Sequence, residues 1–198
     1  MDEDKENKKQ DPIKGSSPRF LTFCSQTIAF ETGGDKSGAY HDDPKDSGGE
    51  TKWGISKKSH PNENIKALTY NGALRIYETQ YWNVLYDYIG SDKLSFKVWD
   101  MGVVSGKRKA VKKLQRAIRA TGTTLKVDGM FGPITLTAVN ISDQEKLYEI
   151  YIKKYTKFYN WLVYFKPKNK RFLKGWLRRL NWVWSSETEP GRGSNGQW

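Results

Sequence analysis

Residues 17–34 read SPRFLTFCSQTIAFETGG, and the fold turns on this stretch. Ser17 followed by Pro18 pairs a helix N-cap with a proline at the first helical position. Phe20, Phe23, Cys24, Thr27 and Ile28 then recur at helical spacing, which predicts an amphipathic helix. Gly33 and Gly34 stop it just after Glu31. A lone carboxylate is thereby set in the last turn of a helix, where the negative end of the dipole opposes ionisation. Aromatic shielding would add to that effect. A carboxylic acid that keeps its proton can donate it to a glycosidic oxygen. Taken alone, a glutamate at a helix end is more often an ordinary solvated surface group.

Working outward, residues 32–62 are rich in Gly, Asp, Lys and Ser and form a long loop or small irregular lobe. Within it TKWGIS, Thr51 to Ser56, predicts a short strand. A glycosidase commonly needs a second group, and Asp35, Asp42, Asp43, Asp46 and Glu50 are all at hand. Spacing does not choose among them, so neither an inverting nor a retaining reaction is selected. Thr51 is a further candidate, its hydroxyl suited to holding a water. Trp53 is suited to stacking on a sugar ring or to plugging the core beneath the loop. His41 and His60 are the only histidines and Cys24 the only cysteine, too few for a metal site and without a disulfide partner. No phosphate-binding loop is present, and Cys24 reads as a small core hydrophobe.

Further along, Thr69 caps a helix from Tyr70 to about Leu85, and residues 93–105 and 107–120 each read as a helix. VDGMFGP, Val127 to Pro133, is a turn leading into a short helix. Ser142 and Glu145 match a capping box for a long helix from Asp143 to about Phe165. Its aromatic stripe, LYEIYIKKYTKFYNWLVYF, reads mainly as core. A basic linker, Lys166 to Lys170, precedes a last helix from about Arg171 to Trp184. The expected organisation is a loose tail over residues 1–17, a catalytic lobe over 18–105, a basic helical lobe over 106–184 and a second tail over 185–198.

The chain has 198 residues, 14% of them aromatic, and a net charge of +12. That charge is unevenly placed. Up to Ser105 there are 14 basic and 16 acidic residues; from Gly106 onward there are 20 and 6. The second half therefore attracts polyanions. No recognised nucleic-acid reading element accompanies it, so no specific nucleic acid is expected. No apolar run is long enough to span a bilayer, and MDEDKENKKQDP at the start lacks the apolar core of a signal peptide. The protein is thus expected to be made in the cytoplasm as a monomer and to reach an external substrate by another export route, by lysis or as part of a phage particle.

Several segments resemble one family. DPKDSGGETKWGIS, Asp43 to Ser56, resembles the DP-x-D-x-GG-x-T-x-x-GIS/T signature of glycoside hydrolase family 108, phage and bacterial N-acetylmuramidases that include endolysins. ALRIYETQYW, Ala73 to Trp82, resembles its A-x-x-IY-x-x-x-YW helix. AVKKLQRAI from Ala110 and VDGMFGPITLTAVN from Val127 resemble the family's C-terminal half, a predicted peptidoglycan-binding region. FLKGWLRRL, Phe172 to Leu180, resembles its closing F-x-x-GW-x-x-R segment. The resemblance runs from about residue 20 to 184. It implies a mainly α, lysozyme-like helical fold with a long irregular loop or small β element after the first helix. It also implies cleavage between N-acetylmuramic acid and N-acetylglucosamine in peptidoglycan glycan strands, without a cofactor. The family's catalytic glutamate in EGGY matches Glu31 in ETGG; Thr32 departs from the pattern, and Tyr40 stands in for the motif's aromatic after an insertion. On this pattern Glu31 is the general acid, Asp43, Asp46 and Thr51 are the further catalytic candidates, and Tyr40, Trp53 and Tyr81 are substrate contacts. A non-catalytic wall-binding or phage structural protein on the same fold is the alternative.

Overall fold

The computed structural model describes residues 15–35, 37–42 and 49–185. Among them the fold is mainly α and lysozyme-like, with seven α-helices and a two-stranded hairpin after the first. Helix α1, Pro18–Glu31, begins where the sequence indicates, with Ser17 Oγ accepting from Phe20 N at 3.0 Å. It ends at Glu31 because Gly33 and Gly34 take positive φ of 63° and 87°, which terminates helical hydrogen bonding cheaply.

TKWGIS is a hairpin rather than a single strand. β1, Thr51–Lys52, pairs antiparallel with β2, Ile55–Ser56, through a two-residue turn. Trp53 and Gly54 both have positive φ, 54° and 77°, as a primed turn requires. A tryptophan there is strained, and burial of its ring compensates: it is 9% exposed, edge-on to Tyr70 at 5.1 Å.

Helix α2, Tyr70–Tyr81, is shorter than its pattern suggests. Trp82 turns to an extended ψ of 152°, and Asn83 then caps a 3-10 helix over Val84–Tyr88. The gain is packing: the Trp82 ring meets Phe20 at 5.3 Å, Tyr86 at 5.4 Å and Trp99 at 5.2 Å. Helices α3, Asp92–Ser105, α4, Lys107–Ala120, and α5, Pro133–Ile141, follow as expected. The N-cap of α6, Gln144–Phe165, is Asp143, which accepts from Glu145 N and Lys146 N. Ser142, expected to fill that place, instead donates back to Ala138 O.

The last helix, α7, Lys170–Asn181, ends three residues early. Trp182 and Trp184 leave it to fill gaps beside α1. Trp182 packs on Phe30 and Phe96, both at 5.2 Å, and Trp184 on Phe23 at 4.8 Å. The buried side chains of all seven helices and of the hairpin belong to one continuous core. Tyr151, Tyr155 and Tyr159 of α6 lie in it, whereas Trp161, Tyr164 and Phe165 at the far end of α6 do not. Among the described residues no helix is long and apolar enough to cross a membrane.

One core member is a cation. Lys97 of α3 is fully buried, and its Nζ donates to Arg179 O at 2.9 Å, serving a carbonyl at the end of α7. Burial pushes its ammonium down to about 8, against the pull of Asp100. The unfolded chain keeps that proton to about pH 10.5, so between pH 8 and 10 it binds more protons than the folded protein. Stability should therefore rise across this window, by about 2–3 kcal/mol. Lys113, half-buried and also held near 8, adds a smaller share in the same direction. Urea melts at several pH values check this, with Lys97→Met expected to flatten most of the rise.

Candidate active site

Glu31 ends α1 at the wall of a cleft of about 770 Å³. Several parts of the chain enclose it, among them Val103 and Val104 of α3 and Tyr159 of α6. The hairpin side supplies Gly54, Ile55 and His60, and α2 supplies Tyr77 and Tyr81. The C-terminal segment supplies Trp176, Arg178, Arg179 and Trp182. The walls mix aromatic rings with charged and polar groups, as suits a polar ligand whose orientation must be set.

The partner of Glu31 is a cation. Arg179 Nη1 donates to Glu31 Oε1 at 2.6 Å. Behind it, Asp100 of α3 is fully buried and accepts from Arg179 Nη2 at 2.8 Å and from Nε at 3.2 Å. Asp100 Oδ1 also accepts from Thr27 Oγ1, which in turn accepts from Trp99 Nε1 at 3.0 Å. The guanidinium lies over the Phe30 ring, 5.1 Å from its centroid. Burial pulls the Arg179 pKa down, but the charges of Asp100 and Glu31 carry it above its ordinary value, so it stays a cation. The helix-end position suggests an apolar shield for Glu31. The structure sets a fixed guanidinium against it, and the Glu31 side chain retains 29% exposure toward the cleft.

Two tyrosines feel the same carboxylate. Burial first, and then the Glu31 charge, raises Tyr77 well above and Tyr81 above the ordinary phenol value, so both remain hydroxyl donors. Tyr77 Oη donates to Trp53 O at 3.3 Å and so ties the hairpin turn to α2. Deeper in the wall His60 is 5% exposed. Its Nε2 lies 3.0 Å from Gln80 Oε1, while Nδ1 has no hydrogen-bond partner among the described residues.

Gly54 sets the distance between hairpin and acid. A Cβ there would stand 2.6 Å from Tyr77 Oη and 2.7 Å from Glu31 Cβ, on a backbone at φ 77°. Gly54→Ala should therefore displace Glu31 and lower by about 100-fold any activity that depends on its position. Gly49→Ala carries comparable backbone strain at φ 66° but meets only Lys57 Cβ, at 3.9 Å. It should lose some stability and keep its activity, a contrast read by melting curves and sacculus turbidity.

Of the sequence-predicted residues, Glu31 and Tyr81 meet in the cleft. Thr51, Trp53 and Tyr40 do not line it. The Thr51 hydroxyl donates to Gly49 O at 3.2 Å, and its backbone bridges His41. Trp53 covers Gly38, where any Cβ would collide with its ring. Tyr40 Oη donates to Asp42 Oδ2 at 3.4 Å. Asp43 and Asp46 lie outside the described residues. Asp35 accepts from Ser37 N at 2.8 Å, and those bonds hold its carboxyl below the ordinary range. Among the described residues no group of three or more His, Cys, Asp or Glu is placed to hold a metal ion. Sequence reasoning missed Asp100, Arg179, His60 and Trp176. A signal for two of them was there: in the F-x-x-GW-x-x-R segment, Trp176 is the tryptophan and Arg179 the arginine.

Residues 28–106 match the family model described as "Glycosyl hydrolase 108", and residues 109–181 match "Predicted Peptidoglycan domain". Eleven solved chains match, among them SagA of Brucella abortus, with a TM-score of 0.61 and 25% identity over 81% of this chain and 90% of that one. No curated protein matches. The two families together indicate a glycosidase directed at peptidoglycan. Glu31 and the hairpin come from the first matched region, and the arginine paired with Glu31 from the second. Residues 28–106 are thus similar to the glycosyl hydrolase 108 family and residues 109–181 to the predicted peptidoglycan domain family.

Proposed function

We propose that this protein is an N-acetylmuramidase that cleaves the glycan strand of peptidoglycan between N-acetylmuramic acid and N-acetylglucosamine, with Glu31 as general acid. The observation that carries the reading is the placement of Glu31. It stands partly open in a cleft of about 770 Å³ walled in part by aromatic rings, its other face held by Arg179. The protonated carboxyl gives its proton to the glycosidic oxygen as the bond to the anomeric carbon breaks, and water completes hydrolysis. The carboxylate left behind then meets a guanidinium already in place, so no reorganisation is needed at that moment. Tyr81 is the sugar contact best supported by its place in the wall. Asp43, Asp46 and Thr51 remain the candidates for the second group.

The basic C-terminal half has two roles in this reading. It completes the cleft through Arg178, Arg179 and Trp176, and its charge draws the anionic wall polymer. The site of action is the cell wall. The test is digestion of purified sacculi, with borohydride reduction of the products and mass spectrometry. Reduced muramic acid at the new ends is the expected result. Reduced glucosamine ends would make the enzyme a glucosaminidase. Intact sacculi that retain the protein would favour a non-catalytic binding protein.

A further inference from the structure

The end of α6 and the start of α7 carry a surface that the cleft does not use. Trp161, Tyr164, Phe165 and Phe172 are 53, 79, 60 and 44% exposed, and none of them lines the cleft. Three of them are in contact: Trp161 and Phe165 at 4.8 Å, and Tyr164 and Phe165 at 5.0 Å between ring centroids. The patch continues along α6, where Trp161 stacks on Phe158 at 6.4 Å. Over the Phe158 ring stand Lys113 and Lys109 of α4, at 4.1 and 5.3 Å.

Cations surround these rings. From Ile150 to Ser185 there are ten Lys and Arg and no Asp or Glu, and α4 has no acidic residue. Lys166, Lys168, Lys170 and Arg171 occupy the turn itself, all exposed. Burial, and to a lesser extent the charges of Arg116, Lys109 and Lys154, push Lys113 down to about 8. Exposed aromatic clusters of this kind mark interaction sites. A concave, dry groove would suit a sugar ring; here the rings project from a helix–helix turn. Aromatic rings that project among lysines, on a stretch of chain without Asp or Glu, match the headgroup zone of an anionic bilayer, where rings enter the interface and cations meet phosphate.

We propose that the α6–α7 turn and the adjoining basic face of α4 dock this protein on an anionic phospholipid membrane. The proposal is independent of the glycosidase reading, since the surface lies outside the cleft. The rings insert shallowly, as no helix among the described residues is able to span the bilayer. Such docking would hold the cleft near the membrane-proximal layer of the wall.

The test uses full-length protein and co-sedimentation with phosphatidylcholine vesicles, with and without phosphatidylglycerol. Two surface variants probe the two chemistries: Trp161→Ser/Phe165→Ser and Lys168→Glu/Arg171→Glu, each with its fold checked by circular dichroism and melting. The wild type should bind the anionic vesicles, release them at high salt and ignore the neutral ones. Each variant should bind the anionic vesicles at least about tenfold more weakly. Lipids with brominated chains should quench wild-type tryptophan emission more than that of Trp161→Phe. Absence of vesicle binding would overturn the proposal. So would an unchanged affinity of the serine variant, which would reduce the effect to charge adsorption. Loss of sacculus retention by these variants, without any vesicle binding, would reassign the patch to glycan and overturn it equally.

Discussion

Glu31→Gln should cleave peptidoglycan at least about 1,000-fold more slowly than the wild type while melting within a few degrees of it. The substitution keeps the side-chain volume and an oxygen that still accepts from Arg179, so the cleft wall is preserved. What it removes is the proton. General acids contribute roughly 100- to 10,000-fold, and a sugar alkoxide is a poor leaving group without one. The stability cost is small because the Glu31 side chain is 29% exposed and its ion pair is only one of the bonds of Arg179. The measurement is the rate of soluble muropeptide release by the pure variant, beside its melting curve. A variant that lyses as well as the wild type would show that the acid lies elsewhere, with Glu78 of α2 the next to replace.

Asp100→Ala should be the most damaging single change to the fold, costing about 3–5 kcal/mol. Asp100 is fully buried and takes three hydrogen bonds from Arg179. Its removal leaves a guanidinium inside the protein with Glu31 as its remaining carboxylate, and leaves Thr27 without its acceptor. A drop in melting temperature of roughly 6–20 °C is expected for a chain of this size. Activity should fall as well, since Arg179 would no longer be held against Glu31. Replacing both charges by apolar groups, as in Asp100→Leu/Arg179→Met, should recover part of the stability and none of the activity. Additive losses in the double variant would show that the pair is not coupled. Calorimetry on Asp100→Leu, Arg179→Met and the double variant separates these outcomes.

How much was legible depends on how local the controlling interaction is. Ser17-Pro18 and Gly33-Gly34 bound α1 through their own dihedrals and one side-chain bond, and the sequence read them correctly. The boundaries of α3 and α4 and the start of α5 follow from the same kind of signal. The misplaced boundaries have distant causes. Trp82 leaves α2 for contacts with Phe20 and Trp99, and Trp182 leaves α7 for Phe30 and Phe96. In the hairpin, Trp53 accepts an unfavourable φ because Tyr70 and Gly38 give its ring a place. The aromatic stripe of α6 divides for a similar reason: its pattern marks one apolar face, but neighbouring helices cover only the part that holds Tyr151, Tyr155 and Tyr159.

The sequence by itself determined the helical character, the position of Glu31 at the end of α1, the charge asymmetry and, through four motifs in order, the family. Each of these resides in residues close together along the chain, where capping, periodicity and composition act. Tertiary structure alone decided what surrounds the acid. It brings Arg179 to Glu31 across 148 positions of sequence and anchors it on Asp100 across 79. It sets Gly54 against the Glu31 side chain and turns Trp53 inward. These pairings depend on packing the C-terminal segment against α1 and α3. A buried guanidinium is stable only where carboxylates from separate elements converge on it, and no local pattern encodes that convergence.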